Sequence, residues 1–139
     1  MVLNKSSNAV SDVTGSVVTF DVTACLPDEH AVAAYARDGV VCLRNAHSAA
    51  WLTVIEQGID AALAGGSEDL DIVDKAGDSG RFSYSSQAWQ QVAPFRRFIF
   101  ESRVADLSWP FLKSNSLTLY YDFLLIKEPG AARAATPWH

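Results

Sequence analysis

Few residues in this 139-residue chain are of types that do chemistry, and their spacing narrows the choice further. The histidines are His30, His47 and His139. His30 falls in the first turn of an expected helix and His47 just ahead of an expected cap, so both read as solvated or capping residues. By position alone His139 is a terminal residue. Cys25 and Cys42 lie 17 residues apart with no Cys-x-x-Cys spacing and no His pair nearby. That pattern argues for two small, buried or half-buried thiols in a reducing compartment, not for a disulfide or a zinc site. Glu68 to Gly80 carries five acidic residues and reads as an exposed loop. Asp69, Asp71 and Asp74 offer the hard oxygens that calcium takes, but the EF-hand spacing with its central Gly and closing Glu is absent. Gly65-Gly66 lacks the further glycines of a phosphate loop and follows a helix instead of preceding one. The carboxylates are scattered, with no pair placed for acid and base work.

The mixed segment Phe95-Arg96-Arg97-Phe98-Ile99-Phe100 interleaves rings with cations, as a base-stacking platform would. A helix with an aromatic core face and an Arg-bearing outer face explains it more simply. Charge supports that choice. Residues 1–80 carry 4 basic and 12 acidic side chains, and residues 81–139 carry 7 and 4. The basic half is too mild for the footprint that phosphate binding leaves, so nucleic acid is not an expected partner. The chain is 49% apolar and 19% charged, with four Trp, seven Phe and four Tyr, which excludes a disordered chain. Its longest apolar run, Ala31 to Ala36, is far short of the ~20 residues of a membrane helix. No charged start followed by an apolar run marks an export signal, so a cytoplasmic location and no membrane partner are expected.

The elements that must position these residues follow from pattern. Residues 1–16 read as a loose leader and 17–139 as one domain. Val17 to Val22 suits a short strand. Pro27-Asp28-Glu29 opens a helix that Asp38-Gly39 stops. Val40 to Leu43, compact and β-branched, reads as a buried strand. Ser48 caps a helix with Leu52, Ile55, Ile59 and Leu63 at helical spacing, ended by Gly65-Gly66. Pro94 starts another helix, and Trp109-Pro110 ends or kinks the next. Leu117 to Ile126 alternates as a strand, with Leu117, Leu119, Tyr121, Phe123 and Leu125 on one face and Thr118, Tyr120, Asp122, Leu124 and Ile126 on the other. Both faces are apolar enough to need cover, and Lys127-Glu128-Pro129-Gly130 turns the chain onward.

These pieces, in this order, carry a resemblance. Tyr121-Asp122, Lys127-Glu128-Pro129-Gly130 and Thr136-Pro137-Trp138-His139 resemble the approach to the first metal motif of the phytanoyl-CoA dioxygenase family. Asp38 to Ala46, the Ser-capped helix with Trp51, and Phe95-Arg96 to Phe100-Glu101-Ser102 agree in order and spacing, so the resemblance covers about residues 28 to 139. It implies an α+β fold: a helical layer plus the first strands of a double-stranded β-helix, or jelly roll, whose barrel is incomplete within these residues. It also implies a non-haem Fe(II), 2-oxoglutarate-dependent oxygenase acting on a small organic or acyl-linked substrate. His139 would be the His of the family's His-x-Asp pair. The Asp would be residue 141, and the second His and the Arg anchoring 2-oxoglutarate would also lie beyond residue 139. Iron and 2-oxoglutarate would therefore both need residues beyond these, and the 139 residues alone would be inactive. In the family the strand holding Tyr121, Phe123 and Leu125 lines the co-substrate cavity. Lys127, of the same parity, is placed to attract a carboxylate, whereas Asp122 points the other way and is expected to be structural. The apolar strand is expected to be covered by a second copy or by the rest of the barrel. A non-catalytic interaction module is the competing reading.

Overall fold

A computed structural model of the chain describes residues 9–10, 17–67, 70–72 and 80–129. It is mixed helix and sheet, and it divides into two compact units: Met1–Leu52 with Glu101–Leu117, and Thr53–Phe100 with Thr118–His139. Among the described residues no helix is long and apolar enough to cross a membrane.

The first unit holds a three-stranded sheet in which β2 (Thr19–Asp21) lies between β1 (Ala9–Val10), antiparallel, and β3 (Cys42–Arg44), parallel. The parallel pair is bridged by α1 (Glu29–Asp38). Local chemistry sets both ends of α1. The Asp28 carboxylate accepts from the N–H groups of His30 and Ala31, each at 3.0 Å, so Asp28 is the cap and Pro27 precedes the helix instead of entering its first turn. Gly39, at φ 74°, takes the left-handed turn and donates its N–H to the Tyr35 carbonyl at 2.8 Å. Phe20, Ala31 and Ala34 form the core, with Val18, Val41, Leu43 and Phe111 against it. Phe111 belongs to α5 (Val104–Leu112) and meets Tyr35 edge-on, ring centres 5.2 Å apart. Arg103, just ahead of α5, donates to the carbonyls of Val22 at 2.9 Å and Cys25 at 2.8 Å, fastening the loop that leaves β2.

Two expectations for this unit are corrected. Val40 to Leu43 is not a buried strand. Val41 and Leu43 are half-buried against the core, but β3 is the edge of its sheet and an open groove runs beside it, leaving Val40 exposed. Cys25 is exposed instead of buried, and Cys42 is half-buried; both are free thiols. Pro110 sits inside α5, which ends two residues later at Leu112, near the stop that Trp109-Pro110 leads one to expect.

The second unit is a helical layer under an antiparallel sheet of order β4 (Asp71–Ile72), β5 (Phe82–Ser86), β6 (Phe123–Lys127). Its core gathers Ala62, Ala88, Val92 and Phe95, with Ile55, Ile59, Trp89 and Leu124 packed on it. α2 (Ala49–Ala61), which belongs to this unit from Thr53 onward, begins at Ser48, whose carbonyl accepts from Trp51 and Leu52, and loosens at Ala62–Gly66 into a π-helical turn. The expected stripe of Leu52, Ile55, Ile59 and Leu63 is displaced by one position. Val54, Gly58 and Ala62 are buried, Ile55, Ile59 and Leu63 are half-buried, and Leu52 is 52% exposed. The Phe95 ring of α4 (Ala93–Glu101) decides this: a Cβ on Gly58 would lie only 2.5 Å from Phe95 Cε1. Small residues, not large ones, mark the contact. A four-residue helix, α3 (Ala88–Gln91), links β5 to α4.

β5 was not anticipated from the sequence, and β4 places Asp71 in a strand within what reads as a loop. β5 is amphipathic in reverse. Ser83 and Ser85 are buried while Phe82 and Tyr84 are half-exposed, and Ser85 and Ser67 share a buried hydroxyl hydrogen bond of 2.9 Å. β6 is shorter than the alternation from Leu117 suggests. Its ladder starts where Phe123 pairs with Ser86; Gln87 then turns to a left-handed φ of 57° and the chain enters α3, leaving 117–121 without a partner strand. Nor is β6 covered on both sides: Phe123 and Leu125 are exposed, whereas Leu124 and Ile126 are half-buried toward the helical layer.

Candidate functional site

The open face of the β4–β5–β6 sheet carries most of the residues the sequence singles out. Strand pairing sets Asp71 beside Tyr84 and Tyr84 beside Leu125, Phe82 beside Lys127, and Ser86 beside Phe123. Side chains of one parity therefore share this face, which the helices do not cover. Tyr121 precedes β6 but continues the aromatic row, its ring 5.4 Å from that of Phe123 and edge-on to it. Tyr121, Phe123 and Leu125 are exposed by 48%, 57% and 56%. The Lys127 ammonium lies 5.5 Å from the centre of the Phe82 ring, so this cation is held at the end of the row by a ring face. Arg81 and Glu128 close the same end: Arg81 Nε donates to Glu128 Oε1 at 3.0 Å and a second guanidinium nitrogen stands 2.8 Å from it. That pairing holds the Glu128 carboxyl below its ordinary range. The Asp71 carboxylate beside Tyr84 raises the phenol's pKa, keeping it a proton donor.

The structure thus brings Phe123 and Lys127 onto one face, with Tyr121 in line. Phe82 and Tyr84, which the sequence reading passed over, are on it too; the Phe-Ser-Tyr-Ser alternation was the available signal. His139 lies outside the described residues, as do Asp69 and Asp74 of the calcium alternative. Among the described residues no three His, Cys, Asp or Glu side chains are grouped to hold an ion.

The first unit offers a separate groove of about 440 Å³, with Tyr35, Val40, Leu43, Leu107 and Phe111 among its walls and His47 at its side. His30 is exposed at the start of α1, but His47 is half-buried and not simply solvated. Burial, and then the Arg103 charge, lower its pKa from the ordinary 6.5. The unfolded chain therefore takes up a proton at His47 before the folded chain does, and stability from this residue falls as pH drops below about 6.5, levelling off beneath the folded pKa. We expect urea midpoints to fall as the pH is lowered below about 6.5 in the native protein and to fall less in His47→Asn. Equal slopes for the two proteins would remove His47 from that role.

Comparison with known proteins finds no family model, no curated protein and no solved structure that matches this chain.

Proposed function

We propose that this chain supplies the helical layer and the first sheet of an Fe(II)/2-oxoglutarate oxygenase of the phytanoyl-CoA dioxygenase kind, and that the open sheet face is a wall of its co-substrate cavity. The observation that carries the reading is the parity of β6. Phe123, Leu125 and Lys127 face away from the helices, so a row of apolar side chains ends in a cation on an uncovered sheet. A jelly roll needs such a face turned toward its interior. In this reading Tyr121 and Phe123 exclude water from the co-substrate and Lys127 attracts its carboxylate. Iron with 2-oxoglutarate would supply the oxygen activation. The described residues do not provide its ligand set, and His139, the ligand the resemblance assigns, is outside them.

The test is spectroscopic. In a chain that continues past residue 139 with Asp at 141, Fe(II) and 2-oxoglutarate added without oxygen are expected to give a metal-to-ligand charge-transfer band. His139→Ala abolishes it, because two protein ligands retain little of the affinity of three. The 139 residues alone are expected to form no iron-dependent succinate. A band unchanged in the variant removes His139 from the site, and turnover by the 139 residues overturns the assignment.

One observation favours a second reading, an association module. The exposed part of Tyr121, Phe123 and Leu125 is on the order of 300–400 Å², using the 150–250 Å² that a large side chain presents. That lies within the roughly 300–600 Å² of the largest apolar patch on a typical soluble monomer, a patch that is often an interaction site. Here the occupant is a second copy of the chain, set face to face.

A further inference from the structure

α4 has an outer face as well as the one it turns to the core. Phe95 is buried and Phe98 and Ile99 are half-buried, whereas Ala93, Arg96, Arg97 and Phe100 are exposed. Those four positions recur at helical spacing and form one stripe, with two cations, an open ring and no acid. Glu101 lies one turn on from Arg97, at the spacing of a helical ion pair, which leaves Arg96 as the cation of interest. Its guanidinium carbon is 5.4 Å from the centre of the Trp89 ring and 5.2 Å from that of Phe100. The two rings meet edge-on, centres 5.4 Å apart, and Trp89 packs on the core of the second unit. The cation is therefore held against a fixed ring.

Other arginines spend their donors within the protein. Arg37 pairs with Asp38, Arg81 with Glu128, and Arg103 serves carbonyls of the loop after β2. Among the described residues no hydrogen bond or ion pair engages the Arg96 guanidinium. Contact with rings consumes none of its five N–H donors, so a side chain already restrained keeps its whole fork for an acceptor. That fork matches the two oxygens of a carboxylate. Phe100, more than half exposed, puts an apolar contact beside it. Arginine next to aromatic rings is the composition of protein-binding centres. A helix face is shallow, which suits a peptide better than a small molecule, whose sites are concave. One open fork in a chain of net charge −5 is not the run of cations that a phosphate backbone asks for.

We propose that the outer face of α4 docks an acidic peptide segment of a partner protein, with one carboxylate taken by the Arg96 fork and a neighbouring apolar side chain laid on Phe100. The proposal rests on neither reading of the open sheet face, and its test uses no iron, no 2-oxoglutarate and no change in β6, so each can fail alone.

The probe is a short fluorescein-labelled peptide of alternating Glu and Leu, titrated with the 139-residue protein by anisotropy and mapped by NMR. Saturable binding is expected, with the largest shifts at the Trp89 indole, Arg96 and Phe100. The same peptide with Gln for every Glu is expected to bind about tenfold more weakly or worse, as are Arg96→Gln and Phe100→Ala with the original peptide. Arg96→Lys keeps the charge but not the planar fork, and is expected to lose about threefold or more. Added salt should weaken the native complex. Absence of saturable binding, or shifts centred on β6, overturns the site. Equal binding of the Gln peptide or undiminished binding by Arg96→Gln overturns the charge pairing, and undiminished binding by Arg96→Lys overturns the bidentate contact. A single-stranded oligothymidylate bound more tightly than the peptide overturns the peptide as occupant. Arg96 is exposed, so its variants are expected to fold, and they decide should Phe100→Ala loosen the helix.

Discussion

Replacing Phe123 and Leu125 together by Glu is expected to convert a protein whose mass in light scattering rises with concentration into one that stays at 15.1 kDa. Both residues are more than half exposed and project from the same side of β6. A face-to-face pair of copies would bury roughly 600–800 Å² from these rows alone, about half of a standard interface, so association should be weak and visible mainly at high concentration. Two carboxylates at the centre of that contact would have to be desolvated opposite their own copies. The expected loss is at least about a hundredfold in dissociation constant. Because the side chains already face water, the fold itself should be little affected, and a binding dye for apolar surface should report the same change. A native protein that remains a monomer throughout the series, with no dye binding, would show that the face is covered and would sink both the association reading and the open-cavity picture.

Gly58→Ala is expected to destabilise the second unit, against the usual rule for helices. Elsewhere in a helix the exchange gains about 0.5–1 kcal/mol by reducing the freedom of the unfolded chain. Here the new methyl would lie 2.5, 2.7 and 2.9 Å from Cε1, Cδ1 and Cζ of Phe95. That ring is 8% exposed and held among Ala62, Ala88 and Val92, so it has little room to retreat. Overpacking of this kind costs about 1–3 kcal/mol. The net expectation is a loss of about 1–2 kcal/mol, or roughly 3–7 °C in thermal midpoint for a chain of this size. Phe95→Leu should cost stability in the native background yet recover part of it in Gly58→Ala, giving a coupling of about 1 kcal/mol or more in a double-mutant cycle. A raised midpoint for Gly58→Ala, or strictly additive effects, would show that the ring does not press on the helix.

The pair Gly58 and Phe95 also marks where legibility in the sequence stopped. α1 could be read from its own residues because its ends are local: Asp28 reaches N–H groups two and three residues on, and Gly39 alone supplies the left-handed turn. The alternation of Phe123 to Lys127 was equally legible, since side chains on a strand change face at every residue whatever lies beside it. What alternation cannot say is where pairing begins. β6 starts at Phe123 because Ser86 is the last residue of β5 available to it, and the apolar, alternating residues 117–121 remain outside the ladder. The buried stripe of α2 was misplaced for a related reason. Apolar size points to Leu52, but burial goes to whichever face a neighbour can approach most closely, and Gly58 admits Phe95. On β5 the serines are inside and the aromatics are on the open face, an order that no hydropathy pattern anticipates. Asp122 reads as structural support at its place in the chain, and only the tertiary arrangement buries its Oδ1 without a hydrogen-bond donor in a wall shared with Phe95 and Phe98 of α4. Contacts within a few residues are written in the chain itself, whereas the partner of a strand edge, a helix face or a buried carboxylate comes from distant residues that only the fold brings near.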